Sequence, residues 1–354
     1  MNTRAPFWSV ALLLSVLSFA GVAQAGLVVF GTGFSLPESI SLAPAGFGSY
    51  GGDYFIPDPG VGGLGLGNVD YLPPTGGTAS VFVTISGQTV RPLGGLFLPN
   101  NFGSWGGQFL AVGQSGATSF ASAVASDGTI TPVASIAGGQ FVSPVLAPSG
   151  FGSVAGQVLM TNNDGTVRAL DQSGNLTTFA TVQGALLFGA ALAPQGFGAF
   201  GGDLLVSDAA SGNIFAIDAQ GNVSPFATVS LGMNQPGLRQ MTFAPNGFGT
   251  YGGDLVLSIS GSGAGGGTFG AVVVLDANGN EIAQLIVGSQ VNAFDPRGLF
   301  FADNQTLLIS SSDPIYLATP VDFQPVPEPA TILLLGGGMI GLLRKGAAHY
   351  RSPR

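Results

Sequence analysis

The chain has 354 residues, 45% of them hydrophobic and 8% charged, and no cysteine, which closes off disulfide and thiol chemistry and argues against extended disorder. Between Gly26 and Pro325 only Arg91, Arg168, Arg239 and Arg297 are basic, against fifteen aspartates plus Glu38 and Glu281, a net charge of −13. Such a surface repels nucleic acid and argues against docking onto anionic lipid, since both are gripped by clustered Lys and Arg; neutral polysaccharide and divalent cations are more compatible with it.

The chain opens with Arg4, an apolar run from Val10 to Leu17 and the small-residue end Ala23-Gln24-Ala25. This is the layout of a secretory signal peptide over residues 1–25, which implies handling by Sec and signal peptidase and a mature chain beginning near Gly26. The body that follows, residues 26–323, is long enough for one large domain with its own core. It contains no histidine, the single one being His349 in the tail. A Ser-His or Cys nucleophile pair is therefore unavailable to it.

The body repeats. Leu42-Ala43-Pro44-Ala45-Gly46-Phe47-Gly48 recurs as Leu98-Pro99-Asn100-Asn101-Phe102-Gly103, then from Leu146 to Gly152, Leu192 to Gly198 and Phe243 to Gly249, with the prolines 55, 49, 46 and 51 residues apart. A degenerate sixth copy begins at Gly298-Leu299-Phe300-Phe301-Ala302-Asp303. Periods in this range mark propellers and solenoids. The fourth unit predicts four short strands, over 190–193, 203–207, 213–218 and 223–228. The hairpin Ala219-Gln220-Gly221-Asn222 supplies the positive φ a tight turn needs. Runs such as Leu204-Leu205-Val206 are apolar on both faces, as in a blade covered on both sides. The fold expected is all-β, a six-bladed propeller of four-stranded antiparallel blades; a β-helix is the alternative. The last unit, ending near Phe323, is one strand short, and Leu27-Val28-Val29-Phe30 has no partner. The segment is expected to complete the last blade and close the ring.

The blade pattern, with its Gly-Asp-Leu second strand ending in Ser207-Asp208, resembles NHL-type and gluconolactonase-like six-bladed propellers. It departs from them in the Gly-Phe-Gly insert. That resemblance implies a ligand in the central channel and, in the gluconolactonase-like members, a divalent metal held by acidic and amide side chains. Candidate channel residues are Asp208, Arg239, Asn292, Asp295 and Arg297; Asp58 and Asp313 are read as ends of second strands, beside Asn162. Arg239 and Arg297 each stand six residues before an equivalent repeat position, so they occupy matching sites that either pair with nearby Asp or grip a carboxylate or sugar hydroxyls. Hairpins such as Asp276-Ala277-Asn278-Gly279-Asn280 offer oxygen ligands for Ca2+ but lack the twelve-residue loop with its terminal Glu. Tyr50, Trp105, Phe200 and Tyr251 recur once per blade. They form either a sugar-stacking rim or plugs between blades.

The chain ends with Val326-Pro327-Glu328-Pro329 in a linker over 324–329, an apolar run from Ala330 to Leu343 and a basic tail, 344–354, led by Arg344-Lys345. The three parts in this order resemble the PEP-CTERM sorting signal. That resemblance implies recognition by an exosortase, a membrane transpeptidase, and association with exopolysaccharide and biofilm matrix. Fourteen apolar residues span about 21 Å of helix against a hydrocarbon core of about 30 Å, which suits an inner-membrane segment held briefly with its basic end in the cytoplasm. Two functions remain open on this reading. One is an exported, non-catalytic surface or matrix module; the other is a metal-dependent lactonase-like hydrolase built on the channel.

Overall fold

The structure, a computed structural model, describes residues 27–60, 67–86, 89–229, 237–261, 270–285 and 294–326. The expected signal peptide, Asn292, the Pro327-Glu328-Pro329 motif, the apolar run, Arg344 and Lys345 lie outside them. Among the described residues no helix is long and apolar enough to cross a membrane.

The strands form a six-bladed propeller. Blade 1 is Ser41–Leu42, Tyr54–Asp58, Gly67–Leu72 and Ser80–Ile85; blade 2 is Val90–Phe97, Phe109–Ser115, Thr118–Val124 and Ile130–Ala137. Blade 3 is Phe141–Leu146, Val158–Asn162, Thr166–Leu170 and Leu176–Thr181; blade 4 is Leu187–Leu192, Leu204–Asp208, Asn213–Ile217 and Val223–Thr228. Blade 5 is Gly237–Phe243, Leu255–Ser260, Ala271–Leu275 and Glu281–Leu285. Blade 6 is Leu299–Phe301, Leu307–Ser310 and Ile315–Ala318, and its fourth strand is Val28–Thr32, paired antiparallel with Ile315–Ala318. The first strand of the body thus closes the ring, as its unpartnered apolar sequence predicts. Phe323–Pro325, at the expected end of the last unit, adds a fifth strand to blade 5, against Glu281–Leu285. Phe323 is drawn there by burial against Phe248 and Tyr251. Asp313 also lies past the end of its second strand, Leu307–Ser310, rather than on it.

The hydrophobic core is divided among the blade interfaces. Six clusters each join two adjacent blades, and alternation along a strand feeds both sides: Leu204 and Val206 pack toward blade 3, Leu205 toward blade 5. This is why those strands read as continuous apolar runs.

The repeated phrase makes the blades interlock. In blades 1 to 5 it forms a one-turn 3-10 helix between the first and second strands, and its phenylalanine (Phe47, Phe102, Phe151, Phe197 or Phe248) is at most 2% exposed. The ring often meets an aromatic of the next blade, as Phe197 meets Phe243 at 4.8 Å and Phe248 meets Phe301 at 4.8 Å. The glycine after it has φ of 52–55° in every copy; in blades 1 to 4 it lies against the next blade's hairpin, and in blade 5 Gly249 lies against Pro320. A Cβ on Gly152 would stand 2.0 Å from the carbonyl oxygen of Ala219. Gly152→Ala therefore combines left-handed strain with a backbone clash, and should lower stability by about 2 kcal/mol or more in urea denaturation. Gly150→Ala, with nothing within 4 Å of its Cβ, is the control; equal midpoints for the two variants would remove the interlock as an account of the repeat.

Candidate functional site: the mouth of the central channel

A bulge shapes the inner wall of the propeller. In blades 3, 4 and 5 the innermost strand skips register after its first pairs, so that Val142-Ser143, Phe188-Gly189 and Arg239-Gln240 bulge at matching places. A buried hydroxyl on the second strand opposite each bulge ties it to the next blade. Thr161 donates to the Phe188 carbonyl at 2.5 Å, Ser207 to the Arg239 carbonyl at 3.3 Å, and Ser258 to the Arg297 carbonyl at 2.7 Å. Arg239 and Arg297 therefore do occupy equivalent positions on neighbouring blades, as their spacing predicts.

The bulge residues divide the mouth into two halves. Leu93, Val142 and Phe188, from blades 2, 3 and 4, form one small buried cluster. Blades 5, 6 and 1 bring charge. Arg297 donates to Glu38 at 2.6 Å through Nη1, and to Asp295 at 2.8 Å through Nη2 and 3.0 Å through Nε. Glu38 is 1% exposed and Asp295 7% exposed, so the pairing is sheltered from water. Burial by itself lowers the Arg297 pKa, but the charges of Glu38 and Asp295 outweigh it and the net shift is upward.

Arg239 is placed differently. Its guanidinium stacks over the Phe188 ring at 4.5 Å, and its Nε is buried without a hydrogen-bond partner. Among the described residues no carboxylate lies within ion-pair distance of it. Burial lowers its pKa; Glu38 and Asp295 pull the other way, while the like charges of Arg297 and Arg91 add to the lowering. Arg91 is near enough for its charge to reach Arg239, so three of the body's four arginines act at this mouth beside two carboxylates, leaving a positive site on an acidic protein. The fourth, Arg168, pairs with Asp164 at 3.6 Å on another blade face.

Behind the mouth, Ser143 of blade 3 donates to Gln240 of blade 5 at 2.6 Å. These blades are not neighbours, so the bond reaches across the channel. Beyond it, innermost strands of all six blades line a cavity of about 190 Å³, with Ser39, Ser41, Leu96, Val145 and Thr242 among its walls.

Other predicted site residues have structural work. Asp208 accepts N–H bonds from Leu186 and Ala210 at 3.0 Å and the Ser211 hydroxyl at 2.5 Å, which clasps the loop entering blade 4. In the hairpins, Asp171, Asp218 and Asp276 bind the turn's own N–H groups and the side chain of Asn175, Asn222 or Asn280. For Asp171 and Asp218 the asparagine bond is the largest influence and lowers the pKa; at Asp276 burial opposes the same bonds, and the net shift is again downward. Tyr50 meets Phe55, Tyr71 and Phe82 edge-on, Phe200 meets Phe226 edge-on, Trp105 packs beside the blade 2–3 cluster, and Tyr251 is 8% exposed. This placement accords with the plug alternative. Sequence reasoning missed Glu38, Gln240, Ser143 and Phe188 as parts of the site. Glu38 and Arg297 are 259 positions apart, yet the repeat position that singles out Arg297 and Arg239 also holds Glu38, six residues before Pro44, and Phe188, six before Pro194.

The divalent metal that gluconolactonase-like propellers imply does not fit these residues. Both carboxylates at the axis are held by Arg297, Asp295 also accepts from the Gly261 N–H at 3.0 Å, and the neighbouring guanidinium groups repel a cation. Among the described residues no group of three His, Cys, Asp or Glu converges.

Comparison with known proteins bears on the C-terminal motif and on the fold. The model of the PEP-CTERM protein-sorting motif matches residues 325–345. No curated protein matches the sequence. Among solved structures, a gluconolactonase from Xanthomonas campestris superposes with a TM-score of 0.56 at 15% identity, covering 87% of this chain and 93% of that one. Regucalcin, a calcium-binding protein from Agrobacterium tumefaciens, gives 0.55 at 14%, over 86% and 96%. A catalytically inactive virginiamycin B lyase from Staphylococcus aureus, solved with quinupristin, gives 0.52 at 16%, over 80% of each chain. At these identities the likeness establishes the fold and nothing finer.

Proposed function

We propose that this exported protein, carrying a PEP-CTERM sorting signal that implies exosortase processing, is a non-catalytic binding module of the cell surface or extracellular matrix, and that its propeller takes up a carboxylate-bearing ligand, such as a sugar acid of an exopolysaccharide, at the channel mouth. One observation carries the reading: Arg239 is a sheltered cation with no carboxylate in ion-pair distance among the described residues, beside an Arg297 that is neutralised twice. A sheltered charge is expensive to leave unpaired, and an arriving carboxylate supplies the missing partner with charge-assisted hydrogen bonds. The Phe188 ring holds the guanidinium plane in place, which limits the entropy lost on binding. Around a body of net charge −13, a positive mouth also directs an anion to one place. Metal-dependent lactone hydrolysis, the other reading, draws on the fold likeness alone and meets the misfit described above.

Calorimetric titration of the full chain with glucuronate and with glucose tests this. Saturable binding of glucuronate alone, weakened about tenfold or more by Arg239→Gln, is expected. Equal responses to the acid and the neutral sugar, or full affinity in the variant, would withdraw the reading.

A further inference from the structure

We infer that the mouth is built for a dianion, with Arg91 as the second grip. This rests on the reading of the mouth as an anion site and goes on to name the ligand class.

Arg91 stands near the start of the innermost strand of blade 2, Val90–Phe97, while Arg239 stands at the start of that of blade 5. In a six-bladed ring these blades are opposite one another. Arg91 has features that Arg239 also has. Its Nε is buried without a hydrogen-bond partner, and among the described residues no carboxylate lies within ion-pair distance. The two are nevertheless close enough for the charge of Arg91 to act on Arg239. Two like charges on opposite blades, near enough to act on one another, disfavour the empty state, and a ligand with two negative ends relieves both at once.

The wall between the two arginines defines the middle of that ligand. Passing from Arg91 through blades 3 and 4 to Arg239, the bulge residues are Leu93, Val142 and Phe188, packed together and apolar. The other way round, blades 6 and 1 present the closed Arg297–Glu38–Asp295 set. The complementary molecule has two carboxylates joined by a short chain whose one side is hydrocarbon, as in an α,ω-dicarboxylic acid. A monoacid uses one arginine and leaves the other unrelieved.

The experiment is a calorimetric series on the full chain with succinate, glutarate, adipate and pimelate, each beside the monocarboxylate of equal length. At one chain length the diacid should bind about tenfold or more tighter than its monoacid, since the second grip adds a charge-assisted bond without a second loss of translational freedom. Arg91→Gln should remove that advantage and leave monoacid affinity in place, while Arg91→Lys, which keeps the charge, should retain part of it. Thermal melts of both variants confirm that they fold. Diacids no tighter than monoacids at every length, with Arg239→Gln still abolishing both, would overturn the second grip and leave the anion site standing. Absence of binding by either class would overturn both.

Discussion

Asp70→Asn should stabilise the protein at neutral and alkaline pH, by an amount that grows from pH 5 to pH 8. Asp70 lies on the third strand of blade 1 at 4% exposure, near Asp58 at 3%. One of its carboxyl oxygens is buried with no hydrogen-bond partner. Burial, then the charge of Asp58 and a hydrogen bond shared with it, push the Asp70 carboxyl up to about 8. The unfolded chain releases this proton near the ordinary value of about 3.9, so folding takes up a proton at any pH between the two. A raised folded-state value means that the contribution is whole below pH ~4 and is lost as pH rises toward 8. The slope is about 1.4 kcal/mol per pH unit, or on the order of 4 kcal/mol by pH 7. An asparagine donates to Asp58 without a proton to lose, so the variant escapes this term. Melting temperatures of the two proteins, read from pH 5 to pH 9, should diverge as pH increases; a constant gap would show that Asp70 ionises freely.

The consequence reaches the closure of the ring. Asp58 accepts N–H bonds from Ser35 at 2.6 Å and from Leu36 and Gly60 at 2.9 Å. Ser35 and Leu36 join the closing strand, Val28–Thr32, to blade 1, so a second negative charge at Asp70 strains the seam between the first and last blades. That seam has less to hold it than the others, because blade 6 lacks the Gly-Phe-Gly insert that interlocks the rest.

How far the sequence could be read follows from the range of each interaction. Blade count, strand order within a unit and the closing strand are carried by periodicity and by an apolar run without a partner, both visible locally. The Gly-Phe-Gly phrase was visible as a repeat, but its role as a latch depends on the following blade, where Ala219 or Gln172 supplies the surface that only glycine can approach. Arg239 and Arg297 were found by repeat position. The same repeat position holds Glu38 and Phe188, six residues before Pro44 and Pro194, but which of these residues touch was not legible: ring closure brings Glu38 to Arg297, and the preceding blade brings Phe188 to Arg239. Equal sequence positions thus received unequal chemistry from distant partners. Asp208 was legible as a residue at a strand end, but the backbone N–H groups it accepts from are not distinguished by a sequence.

Arg297→Met should lower the melting temperature by on the order of 10 °C and should create a response to calcium that the parent lacks. Arg297 holds two carboxylates that water barely reaches, and its side chain is itself 12% exposed. Removing the cation alone leaves two buried negative charges facing each other, a change that typically destabilises by about 3–5 kcal/mol, or about 2–4 °C per kcal/mol in a domain of this class. The loss comes from the stranded charges more than from any favourable worth of the ion pair. The double variant Glu38→Gln with Arg297→Met should therefore recover a good part of it. With the guanidinium gone, Glu38 and Asp295 become two free oxygen donors at the axis, the start of the site that divalent cations use in oxygen-rich centres. Millimolar calcium should then raise the melting temperature of Arg297→Met, have little effect on the double variant, and leave the parent unchanged. This pattern would locate the difference between an anion-binding mouth and a metal-binding channel in one arginine. A parent protein that calcium stabilises as strongly as the variant would instead place a cation at the axis despite Arg297, and return metal-dependent hydrolysis to the front.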